Sequence, residues 1–322
     1  IFFRAIMPLM SAEMIRMLLA FSLGLAFTRY APTPRLNRNG SSQMSKVLVG
    51  TNVASTHPIN GPMVTCTRIH RKNAKNADGK DVQALKRLIS QAATYSDHIS
   101  IAVDEADSGL LKEVQLMVDG VRTQMAFEKA SVPITVLPIS QWGNFVAALN
   151  ALLMHAASLE ASVICYTSVE LEMAASQVKA LRSHLTDDTV VVGALVPGMN
   201  FSPGRHVLNG GNSPWNTFAL WSVTKLAQVG FLSISEGLLK NIPGGVEEGA
   251  TIALLQMLQP STSGCKLVDL DPSPHWHTDW TDPKRLQWHQ EKMQSKVSRT
   301  MSQIETLNLP DAHVDHVRHV VG

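Results

Sequence analysis

The chain is poor in cysteine, in aromatic residues and in charge. Its 322 residues hold three cysteines, Cys66, Cys165 and Cys265, far apart and odd in number. That pattern suggests neither a disulfide framework nor a zinc knuckle. Buried free thiols are expected instead. Aromatic residues make up 6% of the chain and charged residues 17%, with a net charge of +2. No general basic field therefore points to nucleic acid, and no such partner is expected. The apolar run at residues 17–27 falls short of the about 20 residues that span a bilayer. It has the length of a signal-peptide h-region. No Asp or Glu occurs between Glu13 and Asp78, and a basic, serine-containing, acid-free stretch resembles an organelle transit segment. Residues 1–43 thus read as signal-like or transit-like, or as sequence upstream of a start at Met44. Membrane association is expected only through residues 1–27. A secretory or organellar location would follow from a genuine targeting segment.

What is present is an alternation of elements. Lys46 to Asn52 reads as a buried first strand. Residues 53–79, with Pro, Gly, Asn and basic residues, read as a long loop. Asp78 can cap a helix from Lys80 to Tyr95 with Val82, Leu85, Leu88, Ile89 and Ala92 on one face. A strand at 98–103 ends in Asp104-Glu105, and Ser108 opens a helix striped by Leu111, Val114, Val118 and Val121. A strand at 133–137, a helix at 143–158 and a strand at 162–166 follow. This β-α-β order predicts an α/β fold, a mostly parallel sheet with helices on both faces. Ligands of such sheets bind at the carboxyl ends of strands. Those ends are Asn52 to Ser55, Asp104-Glu105, Ser140 to Gly143 and Thr167 to Glu170. The first strand is not followed by G-x-G-x-x-G, so a dinucleotide site of that kind is not expected.

Further on, Gly244-Gly245 delivers Glu247 and Glu248 to the start of a helix. Carboxylates are stabilised there by the helix dipole, and one turned into a cleft could take a proton from a hydroxyl. Trp215 and Trp221 flank Phe218 near a turn-rich loop at 209–216. Such aromatics either stack on a sugar face or fill the core. His275 and His277 stand two apart on an extended segment and face the same way. They could bind a metal or a phosphate. Asp282-Pro283 starts a helix whose stripe, Leu286, His289, Met293, Val297, Met301 and Ile304, reads as core cover. Residues 310–322 read as a polar tail.

From about Val47 to His277 these pieces resemble a family 2 type glycosyltransferase of the GT-A fold, in the nucleotide-diphospho-sugar transferase superfamily. Asn52 resembles the nucleotide-facing end of the family's first strand, and Asp104 its base-binding acid. Gly143, Ala148 and Asn150 resemble the helix beneath the nucleotide. Gly230-Phe231 resembles the segment before the acceptor loop, and Glu247-Glu248 the acidic pair holding the base of inverting enzymes. The resemblance implies one domain at 44–309, with a nucleotide-binding half at 44–172 and an acceptor half with the C-terminal helix at 173–309. It implies a nucleotide diphosphate sugar as donor, an unknown acceptor, and Glu248, or failing it Glu247, as catalytic base.

The departure lies at Thr167-Ser168-Val169-Glu170, where the family usually carries a metal-binding Asp-x-Asp. Hard cations such as Mn²⁺ or Mg²⁺ want carboxylate oxygens, and Val169 has none. Three readings stay open. A metal site is rebuilt from Glu170 with His275 or His277. Side-chain cations, with Arg205 and His206 as candidates, stabilise the leaving group. Or the chain is a degenerate binding or scaffold protein. A nucleotidyltransferase would want a Gly-rich basic loop after the first strand, and Ala54 to Pro62 offers none.

Overall fold

The chain divides into two units, Ile1–Ser55 and Thr56–Gly322. The computed structural model describes residues 57–71, 80–127, 132–277 and 283–320, all in the second unit. The expected strand at 46–52, Asn52 and the segment 1–43 lie outside the described residues.

Within the second unit the first strand is β1 (Met63–Ile69). It lies inside the stretch read from sequence as a long loop. Its Thr and Cys residues break the apolar run that marks a strand, yet Thr and other β-branched residues suit a buried strand. Five strands and helices then follow the expected alternation: α1 (Lys80–Ala92), β2 (His98–Asp104), α2 (Ser108–Phe127), β3 (Ile134–Ile139) and α3 (Val146–Ser158). After them come β4 (Val163–Thr167), β5 (Leu171–Glu172), α4 (Ala175–Ser183) and β6 (Thr189–Ala194). The remainder is β7 (Gly204–Val207), β8 (Phe218–Ser222), α5 (Val223–Leu226), α6 (Glu247–Leu258), β9 (Gly264–Asp271), β10 (His275–Trp276), α7 (Pro283–Thr306) and β11 (His313–Val320).

Nine strands form one sheet in the order β3-β2-β1-β4-β8-β6-β9-β11-β7. Pairings among β3, β2, β1 and β4, and among β6, β9 and β11, are parallel. The inserted β8 and the edge strand β7 run antiparallel to their neighbours. The expected α/β class with a mixed, mostly parallel sheet is therefore what the chain adopts. The helices bury the faces their spacing predicts: Val82, Leu85, Leu88, Ile89 and Ala92 on α1, and Val114, Val118 and Val121 on α2.

Two further readings are corrected. Residues 313–320 within the expected tail form a strand: β11 is inserted between β9 and β7, with Val314 and His316 buried. Alternating His with Val, Asp and Arg looked polar, but period-two alternation is also that of a half-buried strand. Arg205 and His206, the candidate leaving-group cations, lie on β7, which pairs Arg205 with Asp315.

The order of strands fixes where a ligand can sit. The chain steps from β1 outward through β2 to β3, then returns to the other side of β1 as β4. The crevice at the carboxyl ends of β1 and β4 is thus a topological switch point, where open α/β sheets bind ligands. Among the described residues no helix is long and apolar enough to cross a membrane.

Candidate functional site

A cavity of about 610 Å³ opens at this switch point, within the range of ligand pockets. Arg68 reaches it from the end of β1, and Ser168 and Glu170 from the turn after β4. Its far wall is Glu247 and Glu248 at the start of α6, with Lys292, Met293, Lys296 and Arg299 of α7. Gly249 brings those two helices together. A Cβ built on it would stand 2.3 Å from Thr300 Cγ2, so α7 can cross α6 this closely only over a glycine. The crossing sets the basic face of α7 beside the acid pair.

The acid pair is buried, Glu247 at 9% and Glu248 at 4% exposure. Asn216 holds both. Its backbone N–H donates to Glu248 Oε1 at 2.6 Å, and its Nδ2 donates to Glu247 Oε1 at 3.1 Å. Its Oδ1 in turn accepts from Trp221 Nε1 at 2.9 Å. Val246, just before the pair, has φ 59° and ψ 51°. A β-branched residue held left-handed costs on the order of 1–3 kcal/mol and persists where the surroundings enforce it, often at functional sites. Burial pushes the Glu248 carboxyl up to about 8, with the neighbouring Glu247 adding to the rise and Lys296 opposing it. Burial likewise holds Lys296 down, to about 7, against the pull of Glu248. Lys296 Nζ stands 3.0 Å from the centroid of the Trp215 ring.

Arg68 lies 5.4 Å from the Phe145 ring centroid. Burial lowers its guanidinium from the usual range, with Glu247, Glu248 and Glu236 working against the drop. Arg299 donates to the carbonyls of Gly244, Ser295 and Lys292, so its hydrogen-bonding groups are met by neutral oxygens and its charge stays in the cavity. Glu236 is committed elsewhere. Its carboxylate accepts the N–H groups of Asn144, Phe145 and Val146 at the start of α3, which lacks a side-chain cap of its own. Gly143 makes room for it: φ is 60°, and a Cβ there would meet Glu236 Oε2 at 3.1 Å. The anion-binding end of this helix is filled by the chain's own carboxylate.

The expected site residues divide as follows. Glu247, Glu248 and Glu170 meet at one cavity. Asp104, Gly143 and Thr167 stand at the same edge of the sheet but do not line it. Asp104 Oδ1 accepts from Ala106 N–H at 3.0 Å, and the buried Thr167 accepts from Thr67 Oγ1 through its carbonyl at 2.9 Å. Arg205 lies on β7 and lines a separate cavity of about 340 Å³ with Asp188 and Asp315. His275 and His277 do face one another, with ring centroids 4.3 Å apart. They are turned from the cavity, however, and the intervening Trp276 lines it, as strand alternation dictates. His277 Nε2 instead meets Glu172 Oε1 at 2.7 Å. Ser168 Oγ accepts the Glu170 N–H at 3.3 Å. Among the described residues no three His, Cys, Asp or Glu side chains are grouped to hold a metal ion, so the set Glu170, His275 and His277 is not assembled. Trp221 and Phe218 are core, and Trp215 is buried beneath Lys296. The helix motif and the Gly-Phe segment meet directly: Asn150 Oδ1 accepts from Phe231 N–H at 2.8 Å and its Nδ2 donates to Phe231 O at 3.0 Å.

Sequence reasoning missed Arg68, Asn216, Glu236, Lys292, Lys296 and Arg299. A signal existed for the last three, since spacings of four and three residues place them on one helical face. For Asn216 the sequence carries none.

No family model matches the chain, and no curated protein matches it. Among solved structures, 4-diphosphocytidyl-2C-methyl-D-erythritol synthase from Anaerococcus prevotii DSM 20548 is similar with a TM-score of 0.41 and 9% identity, over 72% of this chain and 98% of that one. At that similarity neither residues nor chemistry transfer.

Proposed function

We propose that the switch-point cavity binds a nucleotide diphosphate sugar and that the protein transfers the sugar to a hydroxyl acceptor with inversion. The observation that carries this reading is the pairing of a buried, hydrogen-bonded Glu248 with cations in one ligand-sized cavity. Glu248 takes the acceptor proton as the acceptor oxygen bonds to the anomeric carbon. The bond from that carbon to the diphosphate oxygen breaks, and its electron pair leaves with the diphosphate. A base is most effective when its pKa lies near the working pH, and burial moves Glu248 toward that range. Developing charge on the leaving oxygen needs fixed positive charge nearby, which Arg68, Lys296 and Arg299 supply.

A second reading, a nucleotidyltransferase that makes the sugar nucleotide, is favoured by one specific observation. Once β1 is set at Met63–Ile69, the segment after it, His70 to Lys80, contains Arg71, Lys72, Lys75 and Lys80. The basic residues that the sequence lacks after 46–52 occur here instead. Val169, and Glu236 at the start of α3, fit a third reading, a binding protein without turnover.

The test is a panel of nucleotide diphosphate sugars with detection of released nucleoside diphosphate, alongside nucleoside triphosphates plus sugar phosphates with detection of pyrophosphate. Release of nucleoside diphosphate in the first arm supports glycosyl transfer. Pyrophosphate in the second supports the nucleotidyltransferase. Binding with neither product supports the third reading.

A further inference from the structure

We infer that the α7 wall of this cavity, with Arg68 opposite, is a diphosphate site that needs no metal ion. The inference rests on the nucleotide-sugar reading above but stands on its own groups. Four cationic side chains line the cavity: Arg68, Lys292, Lys296 and Arg299. They come from two distant parts of the chain, the end of β1 and one face of α7. Among the described residues the Arg68 side chain makes no hydrogen bond and no ion pair within the usual distances; it lies over the face of Phe145. Arg299 is held by three carbonyls, which orient a guanidinium without neutralising it. Lys296 is pinned over Trp215.

Four carboxylates line the same cavity, Glu170, Glu236, Glu247 and Glu248, and three of them have hydrogen-bond donors of their own. Glu236 is bound by the α3 backbone. Glu247 and Glu248 are bound by Asn216. Burial favours the neutral acid of Glu248 and likewise the neutral amine of Lys296. Among the described residues the Arg68 guanidinium is a cation of this lining without a hydrogen bond. Guanidinium forks match paired phosphate oxygens, and charge-assisted bonds of this kind are strong. A helix N-terminus is the other usual phosphate site, but α3 already holds Glu236 there. A hard divalent ion wants several grouped carboxylates, and among the described residues no three His, Cys, Asp or Glu side chains are grouped to hold one.

The experiment is calorimetry and thermal shift with inorganic pyrophosphate in EDTA, then with added Mg²⁺ or Mn²⁺, on the full chain and on Arg68→Met and Lys296→Met. Saturable binding in EDTA is expected, unchanged by the metal. Either substitution should weaken it at least about tenfold, the scale of one lost charge-assisted bond. If Arg68→Met does not fold, Lys296→Met and Lys296→Gln on the helix face give the same reading. No binding, binding only with metal, or binding that survives the substitutions overturns the site. A nucleoside diphosphate arm separates sources: tighter binding than pyrophosphate points to a nucleotide, equal binding to free pyrophosphate. Metal-free binding without sugar transfer keeps this site and removes the transferase reading. Transfer that depends on metal does the reverse.

Discussion

Asn216 donates to Glu248 from its backbone and to Glu247 from its side chain, while its own oxygen accepts from the buried Trp221 indole. One residue in the loop before β8 thus ties the acid pair of α6 to the middle of the sheet. Asn216→Ala removes both side-chain bonds and leaves the Trp221 N–H unpaired. An unsatisfied buried donor costs about 1–3 kcal/mol. Urea denaturation is expected to show a loss of that size. An unchanged midpoint would show that Asn216 is not a structural tie.

The second prediction concerns Glu236. Its carboxylate is the cap of α3, and caps are worth about 0.5–2 kcal/mol. Glu236→Ala should lower the denaturation midpoint accordingly. It also frees the helix N-terminus for an anion, so phosphate should stabilise this variant more than the parent. Equal stabilisation of both would contradict the assignment.

Burial raises Glu248 to about 8 from an ordinary 4.5. The folded state thus keeps a proton that the unfolded state releases. The stability this group contributes is complete below about 4.5 and is lost as pH rises through about 8. Glu248→Gln has no such loss. Its melting temperature relative to the parent should therefore rise between mildly acidic and alkaline pH. Each kcal/mol of difference moves Tm by roughly 2–4 °C. A gap that stays constant or narrows would place Glu248 in a wetter setting than its 4% exposure implies.

At the other edge, His184 Nε2 and His319 Nδ1 lie 2.9 Å apart and fasten β11 to the turn after α4. Burial, with His319 and Lys266 nearby, holds His184 down to about 4 from 6.5. Its contribution is complete above about 6.5 and is lost as pH falls through about 4. His184→Gln keeps a hydrogen-bonding group and does not ionise. The parent should lose more stability than this variant on acidification, with β11 amides exchanging first. Identical acid profiles would contradict the clamp.

Much of the architecture from α1 to β4 was legible because its signals are local. The stripes of α1 and α2 and the apolar runs of β2, β3 and β4 are set by helical and strand periods. β1 was misplaced because Thr65, Thr67 and Arg68 interrupt its apolar run. β11 was misread because its neighbours β9 and β7 lie more than forty and more than a hundred residues away in sequence, and only that pairing buries its inner face. At the site, Glu247 and Glu248 could be found from the Gly-Gly turn. The α7 cations could not be assigned to the cavity, because a helical stripe does not say what lies against it. The α6–α7 crossing over Gly249 is a tertiary fact.

The central claim is that Glu248 accepts a proton in glycosyl transfer. The most direct measurement is kcat of Glu248→Gln against the parent, on the nucleotide sugar that the panel identifies, with nucleotide affinity measured in parallel. The account predicts a fall in kcat of about 10² to 10⁴, the usual scale for a positioned base, with affinity little changed. Less than a tenfold fall in kcat for both Glu248→Gln and Glu247→Gln, by the same comparison, would contradict it.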